Sequence, residues 1–250
     1  MGKIKDFFIA ILILGAVGFL IYFIYQSGST RQNRDLARRI AELSPRGGPP
    51  ETIEGLRTAI ALYEDQIERN IREAAQTGVY WKILAMRLAD NNMDRAALDA
   101  LERAIQFNNQ DASLFYFTGL SAAKVAKEIV GFSINTERER EHFYRLAENS
   151  YLRALELDIT YTRPMYGLGV LYTFELDGRA QDAIIHLERY LQISTSDVSA
   201  MFVLARAYYM TENFSRAIEL YDRILERTRD QELRREAMIN KELIRGMLYE

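Results

Sequence analysis

The chain has 250 residues, 48% of them hydrophobic and 27% charged, with 4 prolines and no cysteine. That composition describes an ordered, mostly helical chain rather than a disordered one. It excludes disulfides, thiolate metal ligands and cysteine nucleophiles, and a formal charge of −3 argues against a nucleic-acid partner.

Phe7 to Tyr25, FFIAILILGAVGFLIYFIY, holds 19 residues without a charge. As a helix it is about 28 Å long, which matches a hydrocarbon layer of roughly 30 Å. A cleaved signal peptide has an apolar core of only about 7 to 15 residues. A retained single-pass anchor is therefore expected over residues 1–26, although Ser27 and Ser29 supply the small residues that cleavage would need. Tyr22, Tyr25 and Gln26 suit the membrane interface. The side occupied by the rest of the chain stays open. A short basic N-terminus before one apolar segment favours an extracytoplasmic body, periplasmic in a bacterium, whereas Arg31, Arg34, Arg38 and Arg39 beyond the span lean toward a cytoplasmic one. Those arginines suit either anionic headgroups or a solvated face.

Residues 27–50 read as a short polar helix, about Arg31 to Ser44, and a linker, SPRGGPP, whose Pro and Gly forbid a continuous helix. Over 51–77, Ile53, Leu56, Ile60, Tyr63, Ile67, Asn70 and Ala74 follow at alternating steps of three and four, which makes one apolar seam. Such a seam either covers the open first face of a helical array, the favoured role, or pairs two protomers as a short coiled coil.

From residue 78 one rhythm repeats. Trp81, Leu84, Ala85 and Leu88 are followed by Ala97, Leu101 and Ala104, within 78–111. Phe115, Gly119 and Ala122 precede Ala147, Tyr151 and Ala154, within 112–161. Met165, Leu168, Gly169 and Tyr172 precede Ala183, Leu187 and Tyr190, within 162–197. Met201, Leu204, Ala205 and Tyr208 precede Phe214, Ala217, Tyr221 and Ile224, within 198–231. Small residues let antiparallel helices approach and large ones fill the ridge to the next pair. The pattern resembles the tetratricopeptide repeat, a helix-turn-helix unit of about 34 residues. The expected fold is accordingly all-α: a right-handed α-solenoid of about four helix pairs with capping helices, plus the transmembrane helix. The long second unit is expected to extend both of its helices, with GFSINTE as the turn and a capping box at Thr136 and Glu139. Residues 232–250 read as a C-terminal cap, with Leu233, Ala237, Leu243 and Met247 on one face.

The resemblance implies that the first helix of each pair lines a concave groove. Counting along those helices places Lys82, Met86, Tyr116, Leu120, Arg163, Tyr166, Val170, Phe202, Arg206 and Tyr209 on it. Aromatic and aliphatic residues interleaved with cations suit a protein segment with apolar anchors. The carboxylate clamp of chaperone-binding relatives, a Lys and an Asn one turn apart, is not visible, since Lys82 is followed by Met86. Neither His142 nor His186 has a second metal ligand at close spacing, and Gly167 and Gly169 lack the strand and third glycine of a phosphate loop. No cofactor, metal or catalytic residue is expected. The reading is a membrane-anchored scaffold or assembly factor for a protein partner. Its rivals are a structural protein self-associating through the 53–74 seam and an accessory subunit of an enzyme complex.

Overall fold

A computed structural model describes residues 34–43, 50 and 52–248. The Phe7–Tyr25 anchor and most of the Pro/Gly linker lie outside those residues. Among the described residues there are ten helices and no strand, and no helix is long and apolar enough to cross a membrane. The chain divides into two compact units, residues 1–73 and 74–250.

In the first unit, residues 34–43 form α1 and α2 (Ile53–Asp90) begins after Thr52, whose Oγ1 accepts the Gly55 amide at 3.0 Å. That bond satisfies one of the orphan donors of a helix start. Ala59 is buried, and Leu62 and Gln66 face Leu36 and Arg39 of α1 across a small cleft. The seam is on another side of α2. Ile53, Leu56, Ile60, Tyr63 and Ile67 are all exposed.

The second unit begins within α2. The boundary expected at 77/78 is absent, because α2 runs unbroken through it. One glycine in a helix costs only about 1 kcal/mol, and Gly78 serves packing instead: a Cβ there would lie 2.7 Å from Phe107 Cβ. The last turns of α2 pair with α3 (Asp94–Phe107), and Ala85, Ala100, Leu101 and Ala104 bury against Leu114. Then follow α4 (Ala112–Glu128) with α5 (Ile134–Leu157), α6 (Thr162–Phe174) with α7 (Ala180–Ile193), and α8 (Val198–Met210) with α9 (Phe214–Arg227). The chain ends in α10 (Gln231–Leu248), packed on α9. Each pair packs on the next, and α4, α6 and α8 pack on one another in turn. This is a solenoid.

Local chemistry repeats with the pairs. Asp111 and Asp197 cap α4 and α8 by accepting the amides of Ser113 and Ala200. In three of the turns between paired helices, the second residue before the new helix has positive φ: Asn92, Gly178 and Glu212. A left-handed residue there helps reverse the chain in three residues at Asn92 and Glu212 and in five at Gly178. The phenols of Tyr172 and Tyr208, at matching places on α6 and α8, donate to Glu148 and Glu188 on the preceding second helices. Each bond ties a pair to its predecessor.

Small residues set the helix spacing. Tyr151 of α5 is wedged between two first helices: an added Cβ would lie 2.6 Å from its ring at Gly119 of α4 and 2.7 Å from it at Gly167 of α6. Gly169 faces Leu187 in the same way, with Cδ2 only 2.5 Å from where a Cβ would be. Both glycines of the GLGV stretch are thus spent on helix contact.

Two details differ from expectation. The long second pair gains length in both helices, 17 residues in α4 and 24 in α5 against 13 in α6 and 14 in α7. Its cap, however, is Ser133, which accepts the Thr136 amide at 3.2 Å, so α5 starts before the expected Thr136–Glu139 box. The turn exposes Val130, Phe132 and Ile134, with Phe132 96% accessible. In α10 the buried positions are Ala237 and Ile244, while Leu243 and Met247 are exposed. From Ala237, a step of seven returns to the same face, whereas a step of six misses it by about 120° at 3.6 residues per turn.

Overpacking at a glycine contact costs about 1–3 kcal/mol. Gly119→Leu and Gly169→Leu should each lower Tm by at least about 2 °C, since 1 kcal/mol shifts a domain of this size by about 2–4 °C. Unchanged thermal unfolding of both variants by circular dichroism would contradict the packing described.

Candidate functional site

The ten expected groove residues sit on α2, α4, α6 and α8, and the structure gathers five of them. Tyr116 and Leu120 of α4 and Arg163, Tyr166 and Val170 of α6 line one cavity of about 220 Å³. They meet because α4 and α6 are both first helices in direct contact, so residues on matching faces converge. Tyr151 lines the cavity from α5 beside Gly167, and Lys124, Lys127 and Glu175 complete the wall. Drug-sized ligands occupy about 300–1,000 Å³. The groove therefore suits one or two side chains of a larger partner better than a cofactor.

Its wall carries three cations and one carboxylate. The Arg163 guanidinium is exposed and lies 5.9 Å from the centroid of the Tyr116 ring, within cation–π range. Lys127 Nζ is 2.9 Å from Glu175, and Lys124 Nζ is 3.7 Å from the buried Asp94, whose Oδ1 has no hydrogen-bond partner among the described residues. Burial pushes the phenols of Tyr116, Tyr151 and Tyr166 above their ordinary value, the Arg163 charge partly opposing this at Tyr116. At neutral pH these hydroxyls are protonated donors around a cationic, aromatic depression.

The other five expected residues are elsewhere. Lys82 is paired within the chain: its amine is 2.7 Å from Asp111 and 2.6 Å from Ser113 Oγ, which joins α2 to the cap of α4. Met86 is exposed beyond the cavity lining. Phe202 meets Tyr221 edge-on at 6.0 Å, Arg206 lies 5.2 Å from the Tyr209 ring centroid, and the Tyr209 hydroxyl is 3.8 Å from Met247 Sδ of α10. The C-terminal cap thus reaches this end of the first-helix surface.

Besides Ala123, Gly167 and Leu171, four lining residues escaped the sequence reading. Lys124 and Lys127 follow Leu120 by four and seven positions on the same helix face, a signal present in the sequence once α4 is known to be long. Tyr151 reads as core by periodicity, and it is core, yet it also borders the groove. Glu175 lies just past the end of α6 and has no periodic signature.

Larger clefts open on the other side of the array. One of about 560 Å³ lies between the second helices α3 and α5 over Phe115 and Thr118, and another of about 260 Å³ lies between α7 and α9 over Leu204 and Tyr208. They occupy matching places because first helices touch their counterparts while these second helices splay apart. Size here reports solenoid geometry rather than a specific site. His186 packs 5.9 Å from the Tyr172 ring, and burial pushes its pKa down. Among the described residues no three His, Cys, Asp or Glu side chains are placed to hold a metal.

Residues 176–238, from the turn after α6 into α10, match the family described as Tetratricopeptide repeat. The chain matches no curated protein sequence. Among solved structures, MamA from residue 41 to its end, of Desulfovibrio magneticus RS-1, is similar at 17% identity over 60% of this chain and 75% of that one, with a TM-score of 0.51. A thermophilic TPR protein of Thermus thermophilus is similar at 16% identity over 82% and 96%, with a TM-score of 0.52. At that identity the likeness shows the fold, an array of tetratricopeptide-type helix pairs.

Burial raises the Asp111 carboxyl, but the hydrogen bonds from Lys82 and Ser113 outweigh it and hold it below the usual range. A depressed carboxyl contributes stability above its unfolded value, near about 3.9, and loses it as pH falls through the folded one. Lys82→Ala should therefore lower Tm at pH 7 by the equivalent of about 1 kcal/mol for a partly exposed pair, and the gap should narrow below about pH 3.9. A gap that is absent at pH 7, or that widens in acid, would return Lys82 to the ligand-binding surface.

Proposed function

We propose that this chain is a membrane-tethered adaptor that holds a segment of a protein partner in the groove between α4 and α6. The observation that carries the reading is the convergence of Tyr116, Leu120, Arg163, Tyr166 and Val170 on one cavity with Tyr151 beside them. Aromatic anchors in a depression rimmed by polar groups are where protein interfaces concentrate their affinity. With Lys124, Lys127 and Arg163 against Glu175, the segment that fits best places an apolar side chain in the cavity and a carboxylate at the rim. The tether rests on the uncharged run from Phe7 to Tyr25, whose length suits a bilayer. Holding the groove near a membrane raises the effective concentration of a weak contact with a partner confined there.

Co-purification from detergent-solubilised native membranes tests both parts. Arg163 is exposed, so Arg163→Glu should leave Tm within about 2 °C of the parent. It should lower recovery of a discrete partner about tenfold or more, as expected when a favourable charge contact becomes repulsive. Undiminished recovery would remove the groove as the binding site, and a chain that is absent from the membrane fraction would remove the tether.

A further inference from the structure

The first unit has an apolar stripe with no occupant among the described residues. Along α2, Ile53 is 73% exposed, Leu56 42%, Ile60 54%, Tyr63 52%, Ile67 55% and Ile71 62%. The helix already buries another side, since Ala59 is covered and Leu62 and Gln66 face α1. Ridges of large apolar side chains of this length mark a surface that is covered by something else.

The spacing says what covers it. Taking Ile53 as position a of a heptad, Ile53, Ile60 and Ile67 occupy a, and Leu56, Tyr63 and Asn70 occupy d. β-Branched residues fill every a position and Leu56 the first d, the start of the combination that favours two parallel strands, and a polar residue in the seam such as Asn70 favours the register that pairs it with a polar partner. We propose that a second copy of this chain covers the stripe, the two α2 helices lying parallel and in register as a two-stranded coiled coil over residues 53–73.

The flanking residues agree with a self-pair. Parallel pairing sets Thr52 near Arg57 of the other copy, while Ala59 and Gln66, the next two flanking positions on that edge, lie toward α1, so no like charges face each other. Other charges lie off the seam and pair along their own helix, Asp65 with Arg69 at 2.5 Å and Glu68 with Arg72 at 3.9 Å. Asn70 Oδ1 accepts from Gln66 Nε2 at 2.9 Å, which leaves the Asn70 amide NH₂ to donate across the pair. In register it meets the other Asn70. The antiparallel pairing that keeps Ile60 opposite Tyr63 sets Asn70 against Ile53 instead, an amide with no acceptor. This inference rests on α2 alone and stands or falls independently of the groove and the tether.

The test uses the full-length chain in detergent, and the absence of native cysteine makes it clean. Single substitutions Leu56→Cys and Asn70→Cys on the seam, with Thr58→Cys and Asp65→Cys on the opposite face, are oxidised and resolved without reductant. A parallel in-register pair gives a majority of self-linked dimer from each seam variant and less than about a tenth as much from the outer two. Sedimentation of the unlinked parent should give a two-copy mass, and Ile60→Glu with Ile67→Glu a one-copy mass with the repeat array still folded by its far-ultraviolet spectrum. A one-copy parent overturns the proposal, and so do equal yields from seam and outer sites. Loss of both seam self-links, with a link formed when Leu56→Cys is mixed with Ile67→Cys, overturns it in favour of antiparallel pairing, and a discrete link to a different protein overturns it in favour of that partner.

Discussion

The array depends on how closely its helices approach, and at Tyr151 one side chain sets two of those approaches at once. Its ring occupies the space that a Cβ would need at Gly119 on one side and at Gly167 on the other. Two neighbouring first helices are thereby referred to one second-helix side chain. Close packing of this kind has no slack, because protein interiors are as dense as organic crystals. The same ring borders the groove. The spacing of α4 and α6, and hence the width of the depression between Tyr116 and Tyr166, follows from a packing contact rather than from the groove residues themselves.

Much of this arrangement is legible in the sequence because it is periodic. Ala97, Leu101 and Ala104, then Ala147, Tyr151 and Ala154, then Ala183 and Leu187, then Ala217, Tyr221 and Ile224 recur at helical spacing, and all are buried. On the first helices of the pairs, the faces turned away from the packing positions give Tyr116, Leu120, Arg163, Tyr166 and Val170, which meet. What escapes is what periodicity does not encode. Lys82 reads as a groove cation until Asp111, 29 residues away, is seen to hold it. The close approach of Gly78 in α2 to Phe107 is a contact between helices that no local preference encodes. The face of α10 is misread from sequence because Leu243 and Ile244 are adjacent apolar residues, and only packing on α9 decides between them.

The proposed parts divide the work along the chain. The N-terminal apolar run would confine the protein to a bilayer, the exposed stripe of α2 would bring two copies together, and the first helices would hold the partner. Two grooves on one anchored pair gain affinity for a partner that offers two segments, without any new contact. None of the three parts borrows residues from another: the stripe ends at Ile71 and the groove begins at Tyr116.

The central claim is that the surface between α4 and α6 is the one that meets a partner. Site-specific photo-crosslinking in native membranes tests it most directly, with the reactive residue at Val170 in the groove and, as a control, at the exposed Glu219 on the outer side of α9. The account predicts a discrete adduct with another protein from position 170 and none from position 219. The same adducts from both positions, or adducts with the chain itself alone, would contradict it.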